Sequence, residues 1–458
     1  MTNFEGKFYR AGEPGFEEAA VGRIFNGRRP DRRPEAVLYA ASDEDLKAGL
    51  ALAKAEGLQI ALRSGGHSWA AWSLREGSLL IDLSELQDVS YDEATGIASA
   101  RPAVQGGAVL DPFLAERGRF FNGGHCPTVG IGGFLLQGGQ GWLARGWGWA
   151  AESVVAVDVL TAEGEIVRAD ATQNTDLYWA ARGAGPSFPG IVTRFHLQTR
   201  PRFKHLGHAI QMYKTEDFKA VMRWMYSVHN DISPDVEIVC VSMTPEGPDG
   251  QPGERVFLVT GVCLADTWEE ADSKLAVFQT CPVIDRAIVN EPHKTSSLAE
   301  QREDQLRANP EHWRYFVDNI WVDGDTEEII ERIEPLFVDI PEPTGFTIWF
   351  SMGPVRKLPD MAFSLQSPAY IATYLVSNEE ANDGRNRKWL DDAMVTAQPV
   401  TVGQYTGDSD FGNRQLKFLS DENFGRLMQI IAQRDPNGLF ARYYSKDFAT
   451  LNQNHWEL

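Results

Sequence analysis

The first two hundred residues alternate between strand-like and helix-like patterns of hydrophobic and polar positions. Four short apolar runs predict β-strands, at residues 36–40, 58–62, 79–83 and 154–160. Between the first two runs, Ser42 offers a helix N-cap and three acidic residues follow it. These signals predict a helix that ends near Glu56. The pattern therefore predicts strands interleaved with helices over residues 36–200.

The pattern changes after about Pro201. Further strands are predicted at 237–243, 256–263, 347–350 and 370–376, and helices near 266–279 and 325–337. This mixture predicts a second, α+β region in which helices cover one face of a sheet. A last helix is predicted at about 414–435. We expect the final ~50 residues to return to the first domain. The motif content described below supports this expectation.

Length and charge limit the class of protein. With 458 residues the chain predicts two or three domains, and 43% hydrophobic residues suffice for a large core. A net charge of −21 argues against nucleic acid or an anionic membrane as a partner. No run approaches the ~20 apolar residues of a spanning helix. No signal peptide is visible, which predicts a cytoplasmic protein.

Four cysteines are too few for a disulfide scaffold. Cys240, Cys263 and Cys281 lie in or beside apolar runs, so we expect them to be buried thiols. Cys126 differs from these three because it stands in a glycine-rich segment.

Two glycine-rich loops contain the candidate chemistry. The first is Arg63-Ser64-Gly65-Gly66-His67-Ser68, and the second runs from Gly123 to Gly133 and contains Cys126. Dense glycine lets backbone N–H groups approach a ligand without side chains in the way. A nucleophilic nitrogen in one loop and a nucleophilic sulfur in the other predict one large cofactor held from two sides.

Two other interpretations of these loops are less favoured. One cysteine with scattered histidines, such as His125 and His196, lacks the ligand spacing of a metal site, so no metal is predicted. Residues 139–144 satisfy a Gly-x-Gly-x-x-Ala dinucleotide fingerprint, with Asp158 following. That fingerprint requires a strand directly before it, and here a glycine loop precedes it. We therefore reject a nicotinamide-binding fold.

The motifs resemble a known family when taken in order. The matching segments are RSGGHS (63–68), GGHCPTVGIGGFLLQGGQGWLARGWG (123–148), VVAVDVLTAEGEIVRAD (154–170) and DLYWAARGAGPSFPGIVTRF (176–195). They resemble the FAD domain of berberine-bridge-enzyme-like oxidases, in the vanillyl-alcohol-oxidase/PCMH flavoprotein superfamily. The C-terminal helix, Asp435-Pro436 and the 452–454 tail resemble that family's C-terminal signature. The resemblance is strong over about 30–203 and 415–458, and only architectural between them.

The resemblance implies an α+β fold. It places a PCMH-type FAD-binding domain, made of two α/β subdomains, at residues 1–204. A substrate domain at 205–403 has an antiparallel sheet, covered by helices, whose other face roofs the flavin. Residues 404–458 then return to the FAD domain.

The resemblance also implies roles for the loop residues. The segment Arg63 to Ser68 would hold the FAD diphosphate through backbone N–H groups. His67 would be bonded to the flavin 8α-methyl carbon and Cys126 to flavin C6, which makes the cofactor bicovalent. The remaining cofactor contacts would be Gly130, Gly132, Gly133, Gly138 and Gly141 in the second wall, Ile191 and Val192 near the isoalloxazine or ribityl group, and Asn452 and Asn454 from the C-terminal segment.

The expected chemistry is hydride transfer from a substrate C–H bond to flavin N5, a reaction that belongs to the cofactor and that the protein positions. A thiolate is needed for attack on the flavin, so Cys126 requires surroundings that lower its pKa. Val129 lies three residues after Cys126, where a small branched residue in the family is compatible with O2 reaching the reduced flavin. This favours an oxidase, although Val129 is equally well explained as packing.

One departure concerns the catalytic base. Family members commonly carry Tyr-x-Asn or Tyr-x-Gln before the C-terminal helix, and the matching stretch here places Val402 at the tyrosine position and Gln404 at the second. Tyr405, Asp408, Asp410 and Tyr374 are the alternative candidates, and Gln404, Tyr405 and Tyr374 are the predicted catalytic residues. A surface loop is the favoured interpretation of Asp408-Ser409-Asp410. Assigning a base requires geometry.

The substrate is not fixed by the sequence. Thirteen tryptophans are present, and five lie near the flavin motifs, namely Trp69, Trp72, Trp142, Trp147 and Trp149. Core packing is the favoured explanation for these, and stacking on a planar aromatic or sugar substrate is the other. Phe363, Trp349 and Phe350 fall where the family's substrate sheet lies.

Taken together, the sequence predicts an FAD-dependent oxidase of a small alcohol (sugar or aromatic) or an amine, with O2 as acceptor and H2O2 as product. Two alternatives stay open. One is a dehydrogenase of the same fold that uses another acceptor. The other is a flavin-loaded binding protein with degraded catalysis, which rests on the missing tyrosine.

Overall fold

The structure is a computed structural model that describes residues 4–247 and 249–443. Its first sheet has four strands in the spatial order β1-β2-β4-β3. These are β1 (Lys7–Arg10), β2 (Ala36–Tyr39), β3 (Gln59–Arg63) and β4 (Ser78–Asp82), accompanied by helices α1 (Phe16–Val21) and α2 (Asp43–Glu56). The predicted cap is present, because Ser42 Oγ accepts the Asp45 N–H at 3.2 Å. The strands and the helix predicted between residues 36 and 83 are confirmed.

A second, antiparallel sheet follows in the order β5-β6-β10-β8-β9. Its strands are β5 (Val89–Asp92), β6 (Ile97–Ala100), β8 (Val154–Leu160), β9 (Ile166–Asp170) and β10 (Ile191–Gln198), while β7 (Arg119–Phe120) pairs with β11 (Arg200–Pro201). The helices here are α3 (Asp111–Ala115), α4 (Ile131–Leu136), α5 (Ala144–Trp147) and α6 (Thr175–Ala180). Helix α4, not a strand, precedes the 139–144 segment, which agrees with rejection of the dinucleotide fingerprint.

The third sheet is antiparallel, with eight strands in the order β15-β12-β14-β13-β17-β18-β16-β19. They are β12 (His205–Lys214), β13 (Val236–Met243), β14 (Val256–Ala265), β15 (Val289–Ser296), β16 (Arg314–Val322), β17 (Phe346–Ser351), β18 (Ala369–Ser377) and β19 (Thr401–Gly403). The associated helices are α7 (Phe218–Val228), α8 (Trp268–Leu275), α9 (Leu298–Ala308), α10 (Thr326–Val338) and α11 (Asp383–Ala397).

The third sheet separates two kinds of environment. Side chains alternate across a strand, so neighbours on β18 face opposite sides. Ile371 and Leu375 pack in a core with buried residues of α7, α10 and α11. Tyr370 and Tyr374 pack on the other side, in a cluster with Phe25 and Trp149 of the first part of the chain. This second face, opposite α7, α10 and α11, is the one that approaches the glycine loops.

The C-terminal segment returns to the first two sheets. Helix α12 (Asp421–Arg434) packs against α6, and Arg434 pairs with Asp176 at 2.7 Å. Beyond the helix, Phe440 forms a parallel bridge with Ile60 of β3. The helix begins later than the predicted residue 414, because Ser420 caps it by accepting the Asn423 N–H at 3.2 Å.

Three smaller findings complete the fold. Cys240, Cys263 and Cys281 are buried free thiols, as predicted. Across the residues described, no helix is both long and apolar enough to cross a membrane. The same residues contain no group of three or more His, Cys, Asp or Glu side chains arranged to hold a metal ion.

Candidate functional site

A cavity of about 390 Å³ lies between the glycine loops and the face of the third sheet that carries Tyr370 and Tyr374. Its walls include parts of residues 60–75, 124–137 and 185–195, strands β17 and β18, and residues 405–408. Its volume falls in the range of small-molecule sites. The two loops that the sequence predicts to grip one cofactor therefore face the same space.

The first glycine loop continues directly from β3. The Arg63 side chain is buried and is fixed by Asp82 at 2.5 Å and by the Ala19 carbonyl at 2.6 Å. Within the described part of the chain, none of the main-chain N–H groups of residues 64–68 donates a hydrogen bond to another residue. Gly66 has a φ of +78°, which favours glycine. The loop therefore presents a row of free donors, which suits an anionic group.

The two loops touch through glycine. A Cβ at Gly65 would lie 2.6 Å from the Gly130 nitrogen, so neither position has room for a side chain at this separation. Gly132 is restricted in the same way, because its Cβ would meet Pro102 at 2.7 Å. Gly133 differs: a Cβ there would meet nothing within 4 Å among the described residues, and Gly133 lines the cavity. The backbone thus leaves open space where a bound group would lie.

His67 and Cys126 are linked through Thr128. The Thr128 hydroxyl lies 3.1 Å from His67 Nε2 and 3.6 Å from Cys126 Sγ. Phe25 stacks on the imidazole, with ring centroids 4.5 Å apart. Burial lowers the pKa of His67 to about 4, so the ring is neutral at pH 7 and keeps a free nitrogen lone pair. The bridging role of Thr128 was not predicted from the sequence.

Burial raises the pKa of the Cys126 thiol, whereas the chemistry requires a lowered one. Three groups oppose the burial effect: the Thr128 hydroxyl and the main-chain N–H groups of Thr128 and Val129. Beside this thiol, His125 Nε2 lies 2.7 Å from Glu237 Oε1 of β13. That contact ties the cysteine loop to the third sheet.

Asp408 lies at the centre of a polar cluster on the opposite wall. Its carboxylate accepts the Tyr370 hydroxyl at 2.5 Å and the Trp69 indole N–H at 2.9 Å. Tyr374 is a third hydrogen-bonding neighbour. Burial raises the pKa of Asp408, and these three hydrogen bonds act in the opposite direction. The expectation of a surface loop at Asp408 is wrong, because the residue is partly buried and lines the cavity.

Asp410 and Val402 lie away from this cluster. Asp410 does not line the cavity, and it lies 3.6 Å from Arg28. Val402 is 38% exposed on β19, so the position that matches the family tyrosine points to solvent. A tyrosine at residue 402 would not reach the cavity. Of the tyrosines that line it, Tyr370 and Tyr374 come from β18, and Tyr405 follows β19.

The predicted catalytic residues are placed differently from one another. Tyr374 and Tyr405 line the cavity, and the Tyr405 hydroxyl accepts the Gln140 N–H at 3.3 Å. Gln404 does not line it: its side chain is fully buried, and its amide donates to Ser409 Oγ at 2.6 Å. Through this hydrogen bond Gln404 stabilises the conformation of residues 404–409. This placement does not fit the predicted catalytic role.

The predicted cofactor residues also divide into groups. Those that line the cavity are Arg63, Ser64, Gly65, Gly66, His67, Ser68, Cys126, Val129, Gly130, Gly132, Gly133 and Val192. Gly138, Gly141 and Ile191 do not line it, and a cofactor contact for these three stays a prediction. A Cβ at Gly138 would meet Phe363 at 2.8 Å and one at Gly141 would meet the Asn122 carbonyl at 2.0 Å, while Ile191 is buried in the core of the first sheet. Asn452 and Asn454 lie outside the described residues.

The aromatic candidates divide in the same way. Trp69, Trp72 and Phe350 line the cavity. Trp142 and Trp149 are buried packing residues, as favoured from the sequence, and Trp147 packs beside Phe120. Trp349 faces the helices, and Phe363 packs on Trp149 at a centroid distance of 4.1 Å.

The residues present fit FAD. Free N–H donors at residues 64–68 suit a diphosphate, and the space beside Gly133 suits a bound ring system. In addition, Trp72 Nε1 and Gln140 Nε2 are buried without a hydrogen-bond partner among the residues described, and both residues line the cavity. Buried polar atoms without partners are uncommon in folded proteins, so these two point to a polar ligand.

Comparison with known proteins agrees with this site. Residues 34–170 match the family model described as an FAD binding domain. The FAD-linked oxidoreductase janO of Penicillium janthinellum is 34% identical over 429 residues, which cover 92% of this chain and 94% of the relative. A xylooligosaccharide oxidase of Thermothelomyces thermophilus is 37% identical over 177 residues, covering 38% of this chain and 35% of the relative.

Among solved structures, BBE-like 1 of Physcomitrella patens superposes with a TM-score of 0.83 at 19% identity, covering 98% of both chains. This likeness shows the fold, a PCMH-type α+β flavoprotein fold, as predicted. The near full-length match to a named oxidoreductase shows the family. The chain therefore belongs to the family of FAD-linked oxidoreductases that includes janO, and its fold is that of berberine-bridge-enzyme-like flavoproteins.

Proposed function

We propose that this enzyme is an oxidase that holds FAD through both His67 and Cys126, oxidises a small alcohol or amine, and uses O2 as its acceptor. One observation carries the proposal: His67 and Cys126, which Thr128 links, and the Asp408 cluster line one cavity. FAD supplies hydride acceptance from a substrate carbon and delivery of the electrons to O2.

On the cofactor wall, the protein supplies nucleophiles and free donors. The neutral His67 imidazole has a nitrogen lone pair for a bond to carbon. Cys126 has its sulfur within reach of the Thr128 hydroxyl, which stabilises negative charge on the sulfur as a thiolate forms. The N–H groups of residues 64–68 hold phosphate oxygens.

On the substrate wall, Asp408 is the proton acceptor. As a carboxylate with a raised pKa, it is a stronger base than an exposed aspartate. It takes the substrate O–H or N–H proton at a carboxylate oxygen, and the Tyr370 and Tyr374 hydroxyls orient that carboxylate. Trp69 fixes the other carboxylate oxygen at 2.9 Å. In this enzyme the cluster takes the place of the tyrosine that family members commonly carry.

The choice of O2 as acceptor rests on two observations. Val129 lines the cavity next to the cysteine loop, and xylooligosaccharide oxidase and carbohydrate oxidase are among the relatives. A degraded binding protein is disfavoured by the Asp408 cluster, because a buried ionisable group aimed into a cavity is typical of an active site.

Rapid mixing of substrate with enzyme under nitrogen, then under air, tests the proposal. For an oxidase we expect the yellow absorbance to bleach under nitrogen and to return on admission of air with one H2O2 formed per substrate oxidised. Bleaching that returns only with an artificial acceptor would identify a dehydrogenase. An absorbance that no alcohol or amine bleaches, although dithionite does, would identify a binding protein.

A further inference from the structure

The third sheet presents an apolar surface to the cavity. Strands β17 and β18 pair in register, so that Phe346 lies opposite Tyr374 and Phe350 lies opposite Tyr370. Ile348 occupies the rung between them. All five of these side chains line the cavity. Because alternate residues of a strand share a face, this wall is a continuous strip of rings and one branched aliphatic chain.

The two tyrosine hydroxyls of this strip already interact with the Asp408 carboxylate. The Tyr370 hydroxyl donates to Asp408, and Tyr374 is a further hydrogen-bonding neighbour of that carboxylate. Phe346 and Tyr374 stack on each other, with ring centroids 4.7 Å apart. Of the described residues between 205 and 403, the only other two that line the cavity are the amides Gln305 and Asn309, and Asn309 donates to the Gln305 carbonyl at 3.0 Å.

A sugar and an apolar alcohol make different demands on such a wall. Each sugar ring carries several hydroxyls, and a hydroxyl that loses water without gaining a partner weakens binding by roughly tenfold to a hundredfold. An aryl or allylic alcohol has one hydroxyl, which the Asp408 cluster accommodates, and an apolar remainder, which the strip accommodates. Aromatic rings stack favourably on one another at the distances found here.

Building on the proposed function, we propose that the natural substrate class is an apolar alcohol, aryl or allylic, and not a sugar. Its hydroxyl lies at Asp408, and its ring or alkene lies on Phe346, Ile348 and Phe350. In the net reaction, the alcohol loses the hydrogen on its oxygen and one hydrogen on its carbon and becomes a carbonyl compound. O2 gains both hydrogens and both electrons and becomes H2O2.

The test compares two substrate panels on the FAD-loaded enzyme. One contains benzyl alcohol, cinnamyl alcohol and geraniol, and the other contains glucose, cellobiose and xylobiose. Bleaching under nitrogen and H2O2 production under air are both measured. We expect kcat/KM for the best apolar alcohol to exceed that for every sugar by at least about a hundredfold, the loss expected for one or two unpaired hydroxyls.

The outcomes separate this inference from the proposed function. If a sugar bleaches the enzyme as well as any apolar alcohol and H2O2 forms, the oxidase proposal stands and the substrate class is wrong. If dithionite bleaches the enzyme and no alcohol or amine does, both are wrong.

A variant sharpens the comparison. Ile348→Gln places an amide in the middle of the strip, and we expect KM for the best apolar alcohol to rise about tenfold with kcat little changed. Ile348→Val keeps the strip apolar and should stay within about threefold of the parent. Val402→Ser, on the exposed face of β19, is the matched control. An unchanged KM in a folded Ile348→Gln enzyme with full FAD would overturn the inference. If Ile348→Gln does not fold, a tenfold loss of kcat/KM in Ile348→Val would overturn the inference instead.

Discussion

The two walls of the cavity are built from different parts of the polypeptide. The cofactor wall is main chain: free N–H groups at residues 64–68, and glycines 65 and 130, which approach too closely for any side chain. The substrate wall is side chain: rings from β17 and β18, and the carboxylate of Asp408. A main-chain wall constrains residue type at each position, whereas a side-chain wall can change its chemistry one substitution at a time. We therefore expect the first wall to tolerate few changes and the second to determine the substrate.

Asp408→Asn removes the proposed base from the substrate wall and should have the largest effect. We expect kcat to fall by about 10²–10⁴-fold, the usual contribution of general base catalysis, with FAD content unchanged. Steady-state H2O2 production and the absorbance of the purified enzyme measure both quantities. Asp410→Asn is the control, because Asp410 does not line the cavity, and it should stay within about twofold. Comparable losses in both variants would show that Asp408 is not the base.

Two glycine substitutions separate packing from cofactor contact on the other wall. Gly65→Ala forces the loops apart, since its Cβ would lie 2.6 Å from the Gly130 nitrogen, and should cost about 1–3 kcal/mol of unfolding free energy. Gly133→Ala meets no described residue within 4 Å, so stability without FAD should hold while FAD content falls. Thermal denaturation and flavin absorbance distinguish the two. Full FAD loading in Gly133→Ala would place that glycine outside the cofactor contact.

Tyr370→Phe tests the electrostatics of the substrate wall. A base works only when ionised, so kcat/KM should rise with pH through the raised pKa of Asp408. The Tyr370 hydroxyl lowers that pKa, and removing it raises the pKa further. The acid limb of the pH profile should therefore move to higher pH in Tyr370→Phe and stay in place in the control Tyr9→Phe. A limb that moves to lower pH would mean that another group titrates there.

Val402→Tyr should have the smallest effect. It restores the family's tyrosine in sequence, yet the position is exposed on β19 and does not line the cavity. We expect kcat/KM within about twofold of the parent, because an exposed side chain beyond the cavity adds no proton acceptor. A tenfold gain measured with the same substrate would mean that residue 402 approaches the active site.

The contrast between the walls also explains what the sequence could predict. The glycine loops can be predicted from the sequence, because their spacing and residue type are visible along the chain. The helix cap at Ser42 and the short apolar strands are also predicted from neighbouring residues alone. Glycine density alone does not say whether a Cβ would strike a ligand or the protein. The sequence therefore predicts Gly138 and Gly141 as cofactor contacts. In the structure, a Cβ at Gly138 would meet Phe363, and one at Gly141 would meet Asn122.

Side chains that meet across the sheet carry no such local signal. Asp408 stands in a polar stretch that is typical of a surface loop, and only the fold brings Tyr370 and Trp69 to it. Thr128 was overlooked for the same reason, since its two partners become neighbours only when the loops meet. Strands β12 and β16 and helices α7, α9 and α11 are likewise absent from the prediction, although α7 is strongly amphipathic and α9 begins with a capping box at Ser297 and Glu300.

The intact mass of the denatured protein is the most direct test of a cofactor held by both loops. We expect the parent to carry the added mass of one FAD, Cys126→Ala and His67→Ala each to keep it through the remaining bond, and the double variant to lose it. Retention in Cys126→Ala with release from His67→Ala would reduce the attachment to histidine alone, leaving Cys126 as a packed thiol. An unmodified mass for the parent would contradict covalent attachment altogether.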